Sequence, residues 1–204
     1  MLLKVLKVTL AFLLMLLSAN VFAIAMPDTQ SMYRELNLST EVSFGKFQKA
    51  YNHFLAHRGS KDVFTVIDYG KPSSQKRFWV IDAAKRKVLF ASYVSHGKNS
   101  GALYARNFSN VVNSHQTSIG IFRAAETYYG KHGYSLRLDG LSKGINDNAR
   151  RRAIVIHGAT YAHPSVIAKT GQLGRSWGCP ALPSYLSKKV INTIKNGTYI
   201  YAFA

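Results

Sequence analysis

The order of apolar and polar positions changes character twice along the chain. It begins with an almost unbroken apolar run, Val8 to Leu17, preceded by Lys4 and Lys7. Residues 26–38 show no clear period and read as a tail. Over 40–58 the positions Val42, Phe47, Tyr51, Phe54 and Leu55 fall on one face at helical spacing. From residue 63 short β-type runs take over: FTVIDY (64–69), FWVID (78–82) and VLFASYV (88–94), the last two joined as a hairpin by the polar AAKRK turn. Residues 95–118 are rich in Gly, Ser and Asn and predict a long irregular segment, a kind that often carries function. A second β-rich stretch runs from Ile119 to Leu141, broken at Gly120, Gly130, Gly133 and Gly140. The polar NDNARRR (146–152) leads into a short apolar strand, AIVIH (153–157). A terminal helix is predicted over Tyr185 to Lys195. Ser184 would cap it, Leu186, Val190 and Ile194 form its apolar stripe, and Asn196-Gly197 ends it. TYIYAFA (198–204) reads as a last strand. The pattern as a whole predicts one mixed, mainly β domain with a few helices.

Composition refines this picture. A chain of 204 residues suits one domain. With 47% hydrophobic and 18% charged residues it can bury a real core, which excludes disorder as the default. The leading apolar run is short for a membrane span. Small residues follow it at cleavage-site spacing, Val21 and Ala23 or Ala23 and Ala25. Residues 1–25 therefore read as a secretory signal peptide, with an uncleaved anchor as the alternative. Residues 26–59 are then a mature N-terminal tail and helix, with no stable membrane span after signal removal. Loss of Lys4 and Lys7 lowers the formal charge from +18 to +16. A basic exported protein meets anionic envelope surfaces in a periplasm or cell wall. Nucleic acid is the generic partner of a basic chain, but export and the lack of a recognisable module argue against it.

The chain has one cysteine, Cys179. A single thiol cannot build a disulfide framework, so in an oxidising compartment it is either buried and inert or kept for its chemistry. Its setting, GRSWGCPALP (174–183), is dense in turn formers, and Gly178 lets neighbouring N–H groups converge on one point, as an oxyanion requires. His157, at the end of AIVIH and followed by Gly158, is the natural base. Each residue also has a plain structural reading, and residue types alone leave the two open. No metal site is expected: His53 and His57 lack a third ligand, and His157 and His163 lie six apart with Pro164 after the second. No cofactor is needed either, because a thiolate and an imidazole suffice for acyl transfer.

His157-Gly158 followed by Ser176-x-Gly178-Cys179 resembles the YkuD-type L,D-transpeptidases, in particular the murein L,D-transpeptidase catalytic domain branch. The resemblance covers about residues 60–204 and includes SHGKNSG (95–101), FSN (108–110), YYGKHGYSLRLDGL (128–141), GINDNARRRAIVIHGATY (144–161) and GRSWGCPAL (174–182). It implies a single compact, β-rich catalytic domain that acts on peptidoglycan peptide stems. Cys179 would be the nucleophile, His157 the base, and Ser176 and Gly178 signature residues, with the Gly178 and Cys179 N–H groups as the oxyanion hole. It implies an acyl-thioester on a tetrapeptide stem, release of D-Ala, and transfer to an amine. An L,D-carboxypeptidase or cross-link hydrolase using the same pair is the alternative, and an inactive basic wall-binding protein is one of another class. Two positions depart from the commoner family pattern. Trp177 replaces a His and would wall the groove, and Ala181 stands where a polar residue is usual. Weaker substrate-binding candidates are Arg175, Gly158 and His132. Arg175 reads equally as a surface charge, and Lys98, Asn99 and Ser100 equally as a turn. Arg137 reads as the partner of an acid in a strand.

Overall fold

A computed structural model describes residues 26–59 and 61–204; the expected signal peptide lies outside them. Among the described residues four α-helices, α1 (Thr29–Glu35), α2 (Phe44–Ala56), α3 (Pro164–Thr170) and α4 (Ser184–Ile194), surround one sheet of eight strands. The strands are β1 (Val63–Asp68), β2 (Phe78–Asp82), β3 (Lys87–Ser92), β4 (Gly120–Gly130), β5 (Gly133–Gly140), β6 (Val155–Ala159), β7 (Ala181–Pro183) and β8 (Tyr199–Phe203). Their order is β3-β2-β1-β8-β4-β5-β6-β7. Neighbours are antiparallel except for β1 with β8 and β6 with β7. Just beyond β3, Ser95 bridges to Ala181 of β7, so the two ends of the strand order come together beside the only cysteine. Among the described residues no helix is long and apolar enough to cross a membrane.

β1 and β2 read as continuous apolar runs because both their faces are covered. Phe64, Val66, Trp79 and Ile81 point to one side and pack with Met32, Phe47, Tyr51 and Phe54 of α1 and α2 and with Leu36 just after α1. Ile67, Phe78 and Val80 point to the other and share a core with Val190, Ile191 and Ile194 of α4. The outer half of the sheet alternates instead. Phe122, Ala124, Leu136 and Leu138 turn inward, whereas Arg123 and Arg137 pair outside with Asp139 and Glu126. Arg137 thus meets the acid expected of it. The hairpin of β2 and β3 and the irregular 95–118 segment also form where the sequence predicts them.

Three expectations need correction. The 26–38 segment is not a structureless tail: Asp28 caps α1 by accepting from the N–H groups of Gln30 and Ser31 at 2.9 and 3.1 Å. Ser184 does not cap α4 but is its first helical residue; Pro183 holds the cap position, and no side chain bonds there. His157 is not at a strand end, since β6 continues to Ala159. It lies directly beside Ala181 of β7.

Candidate active site

The cysteine sits on a turn that the sequence enforces at two points. Gly178 has φ +117°, a conformation that glycine alone adopts without strain, and a Cβ there would stand 2.7 Å from the Gln116 carbonyl oxygen. Ser176 closes the turn from within: its hydroxyl accepts from Gly178 N–H at 3.0 Å and donates to the Cys179 carbonyl at 2.7 Å. The Gly178 N–H is therefore already engaged. The Cys179 N–H has no acceptor among the described residues, so it is the donor of the two that remains for an oxyanion. A neighbouring chain segment holds the turn from outside. Ser176 N–H donates to the His96 carbonyl, Lys98 N–H to the Ser176 carbonyl, and Ser95 N–H to the Ala181 carbonyl, at 2.8–2.9 Å.

Beneath that segment lies a strut of buried polar groups that sequence reading missed. Arg77, fully buried, donates to the Val94 and Lys71 carbonyls and to Nδ1 of His96 at 2.7 Å. A guanidinium can only donate, so Nδ1 of His96 carries no proton. Its Nε2–H then donates to the Gly101 carbonyl at 3.2 Å. Burial, followed by the adjacent Arg77 charge, pushes the His96 pKa down to about 4 and keeps the ring neutral.

Cys179 and His157 line one cleft of about 300 Å³, together with His132, Tyr161, Arg175 and Ser176. Lys131 and Trp177 complete its rim. His157 is buried, and its Nδ1 lies 3.0 Å from the Gly158 carbonyl oxygen. A carbonyl can only accept, so the neutral ring carries its proton on Nδ1 and leaves the Nε2 lone pair available. Burial lowers the His157 pKa; the Gly158 bond opposes this and the nearby His132 adds to it. His132 stacks on His157 with ring centres 4.2 Å apart, so the second His-Gly pair joins the first. The half-buried Cys179 thiol donates to the Ala153 carbonyl at 3.5 Å. Burial pushes its pKa up, against the Val155 N–H and the Arg152 charge. The resting pair is thus a neutral thiol and a neutral imidazole, suited to general-base activation rather than a standing ion pair.

The weaker candidates divide. Trp177 is exposed and walls the cleft, stacked on His115 at 4.7 Å with the Lys98 ammonium 5.3 Å from its ring centre. Arg175 lines the cleft and donates to the Gly101 carbonyl at 3.2 Å. Gly158 faces α4 on its Cα side, where a Cβ would meet the Ser187 hydroxyl at 2.5 Å. It therefore serves close packing, while its carbonyl orients His157. Asn99 donates to the Ser114 carbonyl and Ser100 to nothing in the cleft; its hydroxyl accepts from Thr117 N–H. His53 and His57 stack on each other at 4.1 Å and pack on Tyr199, far along the chain from the cleft residues. Tyr161 and Lys131 were not singled out in the sequence, although Tyr161 follows four residues after His157.

Residues 38–203 match the family model described as the L,D-transpeptidase catalytic domain. A comparison with curated proteins returns no match. Similar solved structures include an L,D-transpeptidase from Mycobacterium smegmatis, with 17% identity over 71% of this chain and 59% of that one, at a TM-score of 0.44. L,D-transpeptidase 3 from Mycobacterium tuberculosis aligns at 14% identity over 71% of this chain and 62% of that one, with a TM-score of 0.45. The helical cell shape determining protein Pgp2 from Campylobacter jejuni aligns at 12% identity over 74% and 53%, with a TM-score of 0.46. The chain spans 49% to 59% of the length of the first three structures it matches.

Proposed function

Because the chain belongs to the L,D-transpeptidase catalytic domain family, we propose that it is an exported peptidoglycan L,D-transpeptidase in which Cys179 is the nucleophile and His157 the base. The observation that carries the reading is the shared cleft: the one cysteine of the chain opens into the same space as a buried imidazole whose Nδ1 bond to Gly158 leaves Nε2 unprotonated. In the proposed reaction the thiol proton leaves the Ala153 carbonyl and passes to Nε2. Sγ attacks the carbonyl that precedes the terminal D-Ala of a tetrapeptide stem. The oxyanion takes the Cys179 N–H. His157 returns the proton to the leaving amine, D-Ala departs, and a thioester remains. An acceptor amine then attacks the thioester carbonyl with His157 again as base, forming the new amide and freeing the thiol. Trp177 and Arg175 supply a flat wall and a carboxylate donor for the stem. Export places the enzyme in the periplasm or cell wall.

Mass spectrometry of wall fragments incubated with the protein and with Cys179→Ala tests this. The native protein alone should convert tetrapeptides to dimers or exchanged products, and Cys179→Ala should form no acyl adduct. Tripeptides alone would replace transpeptidation by hydrolysis. An adduct that persists on Cys179→Ala would end the cysteine mechanism.

A further inference from the structure

Arg152 plays no part in the steps above. It stands at the end of the polar approach to β6 and is half-buried. Its guanidinium donates to four oxygens of one loop: the Ser109 carbonyl, the Ser118 hydroxyl, the Ser114 hydroxyl at 3.0 Å and the Gln116 carbonyl at 2.6 Å. All four acceptors are neutral, and among the described residues no carboxylate pairs with it. A cation drawn out of water ordinarily has a counter-charge.

Two short routes lead from this guanidinium to the cysteine. Along the chain, the next residue is Ala153, held at φ +53°, whose carbonyl receives the Cys179 thiol. Across space, the Gln116 carbonyl that Arg152 grips is the one against which Gly178 packs. A recess of about 110 Å³ on the Arg152 side is walled by Asn113, His115 and Trp177, the last of which also walls the Cys179 cleft. We propose that Arg152 is a positioning residue for the nucleophile: it fastens the 109–118 loop behind the Cys179 turn and supplies the positive charge against which the thiolate forms. The proposal rests on reading Cys179 as the nucleophile. Burial lowers the Arg152 pKa and raises that of Cys179, and the attraction between the two groups opposes both shifts. The other titratable or charged groups around Cys179 and Arg152 are His157 on β6, His132 and Lys131 at the β4–β5 turn, Tyr161 and Arg175 in the cleft, His115 in the Arg152 recess, and buried Tyr69 just beyond β1. None of these supplies a counter-charge to Arg152.

The single cysteine makes alkylation by iodoacetamide a direct readout. Its rate is measured against pH for the native protein, Arg152→Gln, Arg152→Lys and Ser114→Asp. Ser114→Asp keeps the loop fastened but gives the guanidinium a carboxylate. The expected result is that Arg152→Gln and Ser114→Asp move the profile to higher pH by roughly half to one unit, so that alkylation at a fixed pH below the midpoint slows about three- to tenfold. Arg152→Lys should keep the native profile even though it melts lower. A folded Arg152→Gln or Ser114→Asp whose profile superimposes on the native one overturns the proposal, whatever its thermal stability. If Arg152→Gln fails to fold, Ser114→Asp decides alone. Alkylation needs no substrate, so lost turnover on wall fragments with these profile shifts intact counts against the transpeptidase reading and not against Arg152.

Discussion

Gly178 sets the geometry on which Cys179 depends. Its positive φ and the closeness of the Gln116 carbonyl leave no space for a side chain. Gly178→Ala is therefore expected to lose about 1–3 kcal/mol of stability and to abolish turnover by displacing the Cys179 N–H. Thermal unfolding alongside the wall-fragment assay checks both, and a variant with native melting and native turnover would refute the account. At this scale the sequence was informative where one residue type is rare. One cysteine in a chain read as exported drew attention to 174–183, and His157 followed from its His-Gly setting. Arg152, Arg77 and His96 gave no such signal. What each does depends on a partner far along the chain: Arg152 on 109–118, and His96 on a guanidinium 19 positions before it. The tight turn at the cysteine was legible from its turn formers, but the bond from the Gly178 N–H to the Ser176 hydroxyl depends on a side-chain rotamer that spacing does not encode.

Elements were legible wherever apolar period and length agreed. α2, the β2–β3 hairpin, the β4–β5 pair and α4 all stand within a few residues of where the pattern puts them. α1 escaped because seven residues offer too few turns to show a period, with Met32 its one buried member. α3 escaped for the same reason, since it buries no residue at all. β7 has only three residues, and its pairing with β6 is a tertiary fact. That pairing matters most for the site, because it sets the cysteine turn beside His157. The strut under the 95–101 segment gives a pH test of how that turn is supported. His96 is neutral in the fold with a pKa near 4, below its unfolded value of about 6.5. Between these values the unfolded chain binds a proton that the folded protein refuses, so stability falls as pH drops from about 6.5 to about 4. The loss is about 3 kcal/mol at most. His96→Asn keeps an acceptor for Arg77 and removes the titration. Denaturant midpoints measured across this window should fall less steeply for His96→Asn than for the native protein, and parallel slopes would show that the strut does not titrate as described.

Charge is unevenly spent across the molecule. Of nine acids, seven form ion pairs, Asp28 caps α1, and Asp147 accepts from Asn110 and Gly144. None lines the Cys179 cleft, whereas Lys131 and Arg175 do, with Lys98 beside them. The surface around the cleft is thus of one sign where the chemistry is proposed to occur, as attraction to an anionic partner would require. Binding to isolated sacculi should weaken steeply as salt rises from about 0.05 to about 0.5 M, and Cys179→Ala should bind as the native protein does. Salt-insensitive sedimentation would show that charge does not bring the protein to the wall. The two tryptophans divide in a corresponding way. Trp79 is sealed under α1 and α2, whereas Trp177 stands exposed on the rim of the cleft. The protein therefore carries its own optical probe: the red-edge emission belongs to one indole a few residues from the cysteine, and a change in it reports occupancy of the cleft while the buried indole serves as the internal standard.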